Sequence, residues 1–133
     1  MSQDFLLPMG VSVLHIALVG IYLVTSRIKA VRLKKLSPSY FKVYSGEIDS
    51  KLLVKGRHFD NQFQLPILFL ITSIVAMNLK LDMLIMAAWV FVFSRIVHTW
   101  VHLGSNNIIH RMLSYLVGFL CVLVMWTVII FKA

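Results

Sequence analysis

Long apolar runs separated by short polar breaks dominate the chain, and four of them are long enough to cross a bilayer as helices, which takes about 20 residues. The first occupies residues 5–25, with Pro8 tolerable in its first turn. The second begins as a polar helix near Asp49 or Ser50, either of which can cap it, and turns apolar over residues 65–79. About 30 residues at about 1.5 Å each give about 45 Å, so this helix is expected to project from the membrane. Pro66 removes the bond to the Gln62 carbonyl and predicts a bend at the membrane surface. A tight turn at residues 78–82 leads to the third span, 83–103. Gly104, Ser105, Asn106 and Asn107 then turn the chain into the fourth span, 108–131. Between the first two spans lies a loop around residues 37–50, marked by Ser37-Pro38 and Ser45-Gly46. The pattern predicts an all-α protein, a single antiparallel four-helix bundle integral to the membrane.

Composition supports that picture: 59% of the residues are hydrophobic and only 14% charged, and a soluble fold of 133 residues could not bury so much apolar surface. The net charge of +8 sharpens it. Nine of the thirteen basic residues lie between Arg27 and Arg57, flanked by apolar spans, which marks a cytoplasmic loop and puts both termini outside. Such a loop can touch anionic lipid, and its confinement argues against a nucleic-acid partner. The first span has no preceding basic residue and no convincing cleavage site, so it is expected to be retained rather than removed as a signal peptide. No eukaryotic targeting signal is evident, which fits a bacterial inner membrane. Cys121, alone in an apolar run, reads as a small hydrophobe.

The chemistry should lie in polar residues that the spans carry at a cost. Arg95 lies eight residues before the end of the third span, about 12 Å deep, and shares a helix face with His98, Thr99 and His102. One reading is a cationic, donor-rich pocket for an anionic ligand; the other is an arginine snorkelling to water beside hydrogen-bonded histidines. On the second helix Arg57, Asn61 and Gln64 fall at i, i+4 and i+7, and Arg111 and Tyr115 are paired at i, i+4 on the fourth. His98 and His102 have ligand spacing, but no carboxylate or cysteine nearby completes a shell, so no metal is expected. His15 reads as a hydrogen-bonded core histidine. No Asp or Glu lies within a span, which argues against a proton-coupled exporter. Nucleophile-triad and phosphate-loop signatures are absent as well.

Taken together, these sets resemble the MAPEG family, membrane-associated proteins of eicosanoid and glutathione metabolism. The stretch Arg95-Ile-Val-His98-Thr-Trp-Val-His102-Leu-Gly104, with Arg111 and Tyr115 following, is similar to the Arg-x-x-His-Thr-x-x-Tyr-Leu-Gly of the family's prostaglandin synthase and its later Arg and Tyr. Arg57, Asn61 and Gln64 resemble the family's Arg-x-x-x-Asn-x-x-Glu, and Val31-Arg32-Leu33-Lys34-Lys35 its basic exit from the first helix. The resemblance spans essentially the whole chain. It implies a homotrimer that binds glutathione as cosubstrate between subunits and acts on an apolar electrophile or lipid hydroperoxide. Arg32, Arg57 and Arg95 would then bind carboxylates, with Asn61 on the peptide portion and Gln64, His98, His102 and Tyr115 around them. Arg111 would hold the sulfur as thiolate, lowering a thiol pKa of about 8.5. Two positions depart from the family pattern: Gln64 replaces a glutamate and His102 a tyrosine. Asp60, the nearest carboxylate, is expected about 100° round the helix from Asn61. These departures leave open a non-catalytic protein of the same fold that binds a lipid or another anion.

Overall fold

The computed structural model describes residues 3–43 and 48–132. Among them the secondary structure is entirely helical, and four helical stretches are long and apolar enough to span a membrane. The first helix, α1 (Leu6–Arg32), has Pro8 in its first turn, where a missing N–H leaves no bond unmade. It runs seven residues past the expected end at Thr25, because residues 26–31 contain no breaker. It closes at Lys34, which adopts φ 55°. Lys34 N–H donates to the Val31 carbonyl and Lys35 N–H to the Ala30 carbonyl, the paired bonds of a Schellman ending. A short helix, α2 (Tyr40–Val43), interrupts the predicted loop. The turn expected at Ser45-Gly46 lies outside the described residues.

Of the two capping candidates it is Asp49 that starts α3 (Ser50–Asp60), its Oδ1 accepting from Lys51 N–H at 2.9 Å. The predicted bend is instead a break. The chain leaves the α conformation in a 3₁₀ turn at Asn61–Phe63, passes through Gln64 at φ −98° and ψ −96°, and resumes as α4 (Leu65–Asn78). Unwinding ahead of Pro66 moves the proline from a helix interior, where its ring would strike a carbonyl, into a first turn that tolerates it. The extension α3 does not stand alone. It lies along the equally extended end of α1, with Lys55 Nζ 2.9 Å from Ser26 Oγ and 4.4 Å from the Tyr22 ring centroid.

A 3₁₀ turn at Asp82–Leu84 leads into α5 (Ile85–Leu103), and Asn107 caps α6 (Ile108–Lys132) by accepting from the N–H groups of Ile109 and His110. The α5–α6 pair forms the most extensive packing in the molecule. Phe69 of α4 stacks on Phe91 of α5 at 4.1 Å, and Phe5, Leu65, Ala88, Met125 and Ile129 join them in the apolar core. Toward the end that carries the basic segment and the 104–107 link, the buried residues become polar: His58, Gln62, Arg95, His98, His102 and Ser114. The outward faces stay apolar, with Trp100 80% and Phe93 68% exposed, as lipid or a neighbouring subunit requires.

Candidate functional site

Between α3, α5 and α6, at the polar end, opens a cleft of roughly 570 Å³. Arg57, Asp60 and Asn61 form one wall, His98 and His102 the second, and Ile108, Arg111, Met112 and Tyr115 the third. Six residues singled out in the sequence on three separate helical segments therefore share one concavity: Arg57, Asn61, His98, His102, Arg111 and Tyr115. Asp60 joins them because it follows Arg57 by three residues within α3, which puts the two on one helix face. Arg111 is steadied from the link, its Nη1 donating to Asn106 Oδ1 at 2.9 Å.

Arg95 lies beneath this cleft, with only 2% of its surface exposed, and its guanidinium sits 5.7 Å from the Tyr115 ring centroid. Its Nε, Nη1 and Nη2 make no hydrogen bond with any described residue. Snorkelling is thus not its fate in this chain. A buried cation without a partner is costly, and the surroundings that would offset the cost are an anion or the polar surface of another chain.

Two predicted residues lie elsewhere. Gln64, past the break, is exposed and does not line the cleft. Arg32, also exposed, borders a separate groove with Val31, Pro38 and Phe41. A further concavity of roughly 510 Å³ between α1 and α3, lined by Lys29, Lys35, Lys51 and Lys55, contains none of the predicted site residues.

His58 and Gln62, which nothing in the sequence pattern singles out as site residues, are both fully buried behind the cleft. Gln62 Nε2 lies 3.1 Å from His58 Nε2 and donates to the His58 carbonyl at 3.2 Å. The available signal was their i, i+4 spacing, one step out of phase with Arg57 and Asn61. His58 belongs to a polar chain that crosses the bundle. His15 Nε2 is 2.8 Å from Thr99 Oγ1, which is 3.0 Å from His58 Nε2. On the other side His58 Nδ1 is 3.1 Å from His102 Nδ1, which is 3.4 Å from His98 Nε2. His98 Nδ1 ends the chain at the Arg111 carbonyl (3.1 Å) and Ser114 Oγ (3.2 Å).

Two arginines against one carboxylate in the lining, with Arg95 beneath, make the cleft attract anions, and its Ile108 and Met112 side suits an apolar portion. Residues 5–131 match the sequence model described as the MAPEG family. No curated protein matches the chain.

Proposed function

Since this integral membrane protein belongs to the MAPEG family, we propose that it is a glutathione-dependent enzyme, a transferase or peroxidase acting on apolar electrophiles or lipid hydroperoxides. The observation that carries the reading is the meeting of Arg57, Asn61, Arg111 and Tyr115 in one cleft above Arg95, whose guanidinium makes no hydrogen bond to any described residue. Glutathione brings two carboxylates, which suit Arg57 and Arg95, and an amide chain that Asn61 can serve as donor and acceptor. Arg111, held by Asn106, stabilises the thiolate, and Tyr115 can donate a hydrogen bond beside it. In the transferase reaction the thiolate sulfur forms a bond to the electrophilic carbon as the leaving group departs with its electron pair. In the peroxidase reaction it attacks the peroxide oxygen, giving an alcohol and a sulfenic acid that a second glutathione converts to disulfide and water.

Arg32 and Gln64 enter this reading only through an assembly. In the proposed homotrimer each lies on a face that a neighbouring subunit can cover, so cleft and neighbour complete the site together. The proposed topology puts the basic loop and the cleft mouth in the cytoplasm and both termini outside, in a bacterial inner membrane. A second reading, a non-catalytic binder of a lipid head group or another anion, is favoured by the neutral Gln64 and by His102 in place of tyrosine.

Glutathione binding by calorimetry in detergent tests the proposal. Saturable binding is expected in the wild type, weakened about 10–100-fold in Arg95→Ala, the equivalent of about 1.5–3 kcal/mol for a charge-assisted bond. Conjugation of a generic electrophile is expected to fall by up to about tenfold in Arg111→Ala for each unit by which the thiol pKa rises. Absence of saturable binding in the wild type would reject the glutathione reading. Binding without turnover, unchanged in Arg111→Ala, would select the non-catalytic one.

A further inference from the structure

The polar chain behind the cleft contains an arrangement that the pair His98 and His102 could not reveal. Helix α3 brings a third imidazole, His58, so that one nitrogen from each ring lies within 4.8 Å of the other two. We propose that His58, His98 and His102 form a site for a divalent transition metal of the zinc type, with a fourth position open to the cleft.

Distances favour this ligand set. Tetrahedral zinc holds imidazole nitrogens at about 2.0–2.1 Å, which sets neighbouring nitrogens about 3.3 Å apart. His58 Nδ1 and His102 Nδ1 are 3.1 Å apart, and His102 Nδ1 and His98 Nε2 3.4 Å. The remaining edge, at most 4.8 Å, closes by rotation of the rings about χ2, a soft torsion.

Protons argue the same way. His98 Nδ1 faces the Arg111 carbonyl, which only accepts, so Nδ1 carries the hydrogen and Nε2 turns a lone pair inward. The outer side of His58 can serve either tautomer. Gln62 donates to a bare Nε2, and Thr99 Oγ1 accepts from a protonated one while donating to His15. In the second arrangement, with the Gln62 amide turned so that its otherwise unbonded Oε1 faces Nε2, His58 Nδ1 also presents a lone pair inward. His102 Nδ1 then has one hydrogen at most for two nitrogens at bonding distance. A metal among the three nitrogens satisfies them all, and the outer bonds are the kind that orient imidazole ligands.

The fourth ligand follows from position and charge. His98 and His102 line the cleft, so the open position faces it. Arg57 and Arg111 line the same space and Arg95 lies beneath, which makes a bare dication costly and calls for an anion: hydroxide, carboxylate or thiolate. Asp60 supplies part of the compensating charge from the cleft wall.

Detergent-purified protein, stripped with chelator and free of glutathione, is titrated with Zn²⁺ and separately with Co²⁺. One metal per chain by elemental analysis, with the intense visible absorption of tetrahedral Co²⁺, is expected. His102→Phe, which keeps a ring in the space, is expected to weaken Zn²⁺ binding by more than the about 10–100-fold usual for an outer-shell change. Gln62→Ala, which removes only the amide that bonds to the outer side of His58, falls within that range, and His110→Ala, on the exposed face, leaves binding unaltered. Helical circular dichroism checks folding, and His58→Gln replaces His102→Phe if that variant misfolds. Binding below one metal per chain, a six-coordinate Co²⁺ spectrum, or equal binding by wild type and the ligand variants overturns the proposal. Glutathione is absent throughout, so the result stands apart from the test of glutathione chemistry.

Discussion

Arg95 concentrates the energetic question at the level of single side chains. Its three guanidinium nitrogens are buried without a hydrogen-bonding partner among the described residues, and the Tyr115 ring centroid lies 5.7 Å from the charge. Such a group is held at a loss until an anion or another chain arrives, since its desolvation is not offset. Arg95→Met, with similar volume and no charge, is therefore expected to make the ligand-free protein more stable by about 1–4 kcal/mol. The same variant should lose the stabilisation that glutathione gives the wild type. A thermal-shift experiment in detergent with and without glutathione measures both, and a less stable ligand-free variant would mean that the charge already has a partner in the assembled protein.

Close approach of helices decides how the cleft is held together at the level of elements. Gly118 lets α6 settle against α5: a Cβ there would stand 2.9 Å from Ser94 Oγ and 3.6 Å from Arg95 Cδ. Gly118→Ala is expected to destabilise the protein by about 1–3 kcal/mol through overpacking. Adding Ser94→Ala removes the atom that is struck and should recover part of the loss, a coupling that a double-mutant cycle measures directly. Gly104 is stricter, because a Cβ there would meet the Trp100 carbonyl oxygen at 2.7 Å, a backbone atom that no rotamer change can move. Gly104→Ala should therefore disturb the α5–α6 link and, through Asn106, the arginine that the link steadies. The readout is a larger loss of thermal stability than Gly118→Ala produces, accompanied by weaker glutathione binding.

At the scale of the molecule, the apolar outer surface leaves room for both lipid and like subunits. Exposed Phe93, Trp100 and Phe131 suit either environment. Polar Gln64 and Arg32 on exposed faces are better served by neighbouring chains or by water at the membrane edge. The proposed assembly predicts a protein mass in detergent, from light scattering corrected for the micelle, of three 15.2 kDa chains. It also predicts that Arg32→Ala weakens glutathione binding although Arg32 does not border its own chain's cleft. A monomeric mass with unchanged binding in Arg32→Ala would remove both residues from the site.

Much of this architecture is written along the chain, because hydrophobic periodicity and length alone decide which segments can satisfy their backbone inside lipid. Four apolar helices, the basic segment between the first two, a cap at Asp49 or Ser50 and the exceptional depth of Arg95 all follow from local residue order. So do the polar residues of α5 and α6, whose unbroken helical spacing keeps His98 and His102, and Arg111 and Tyr115, on common faces. Helix two is where that logic fails. Regular spacing groups Gln64 with Arg57 and Asn61, but the 3₁₀ turn forced ahead of Pro66 rotates Gln64 out of the face that Arg57, Asp60 and Asn61 share. Only tertiary packing could place buried His58 against His98 and His102, across 40 or more positions of sequence, and convert a pair of histidines into a converging three. Sequence determines which polar groups must be hidden from lipid; the packing of α3 and α6 against α5 decides which of them meet, because partners on different helices share no periodicity.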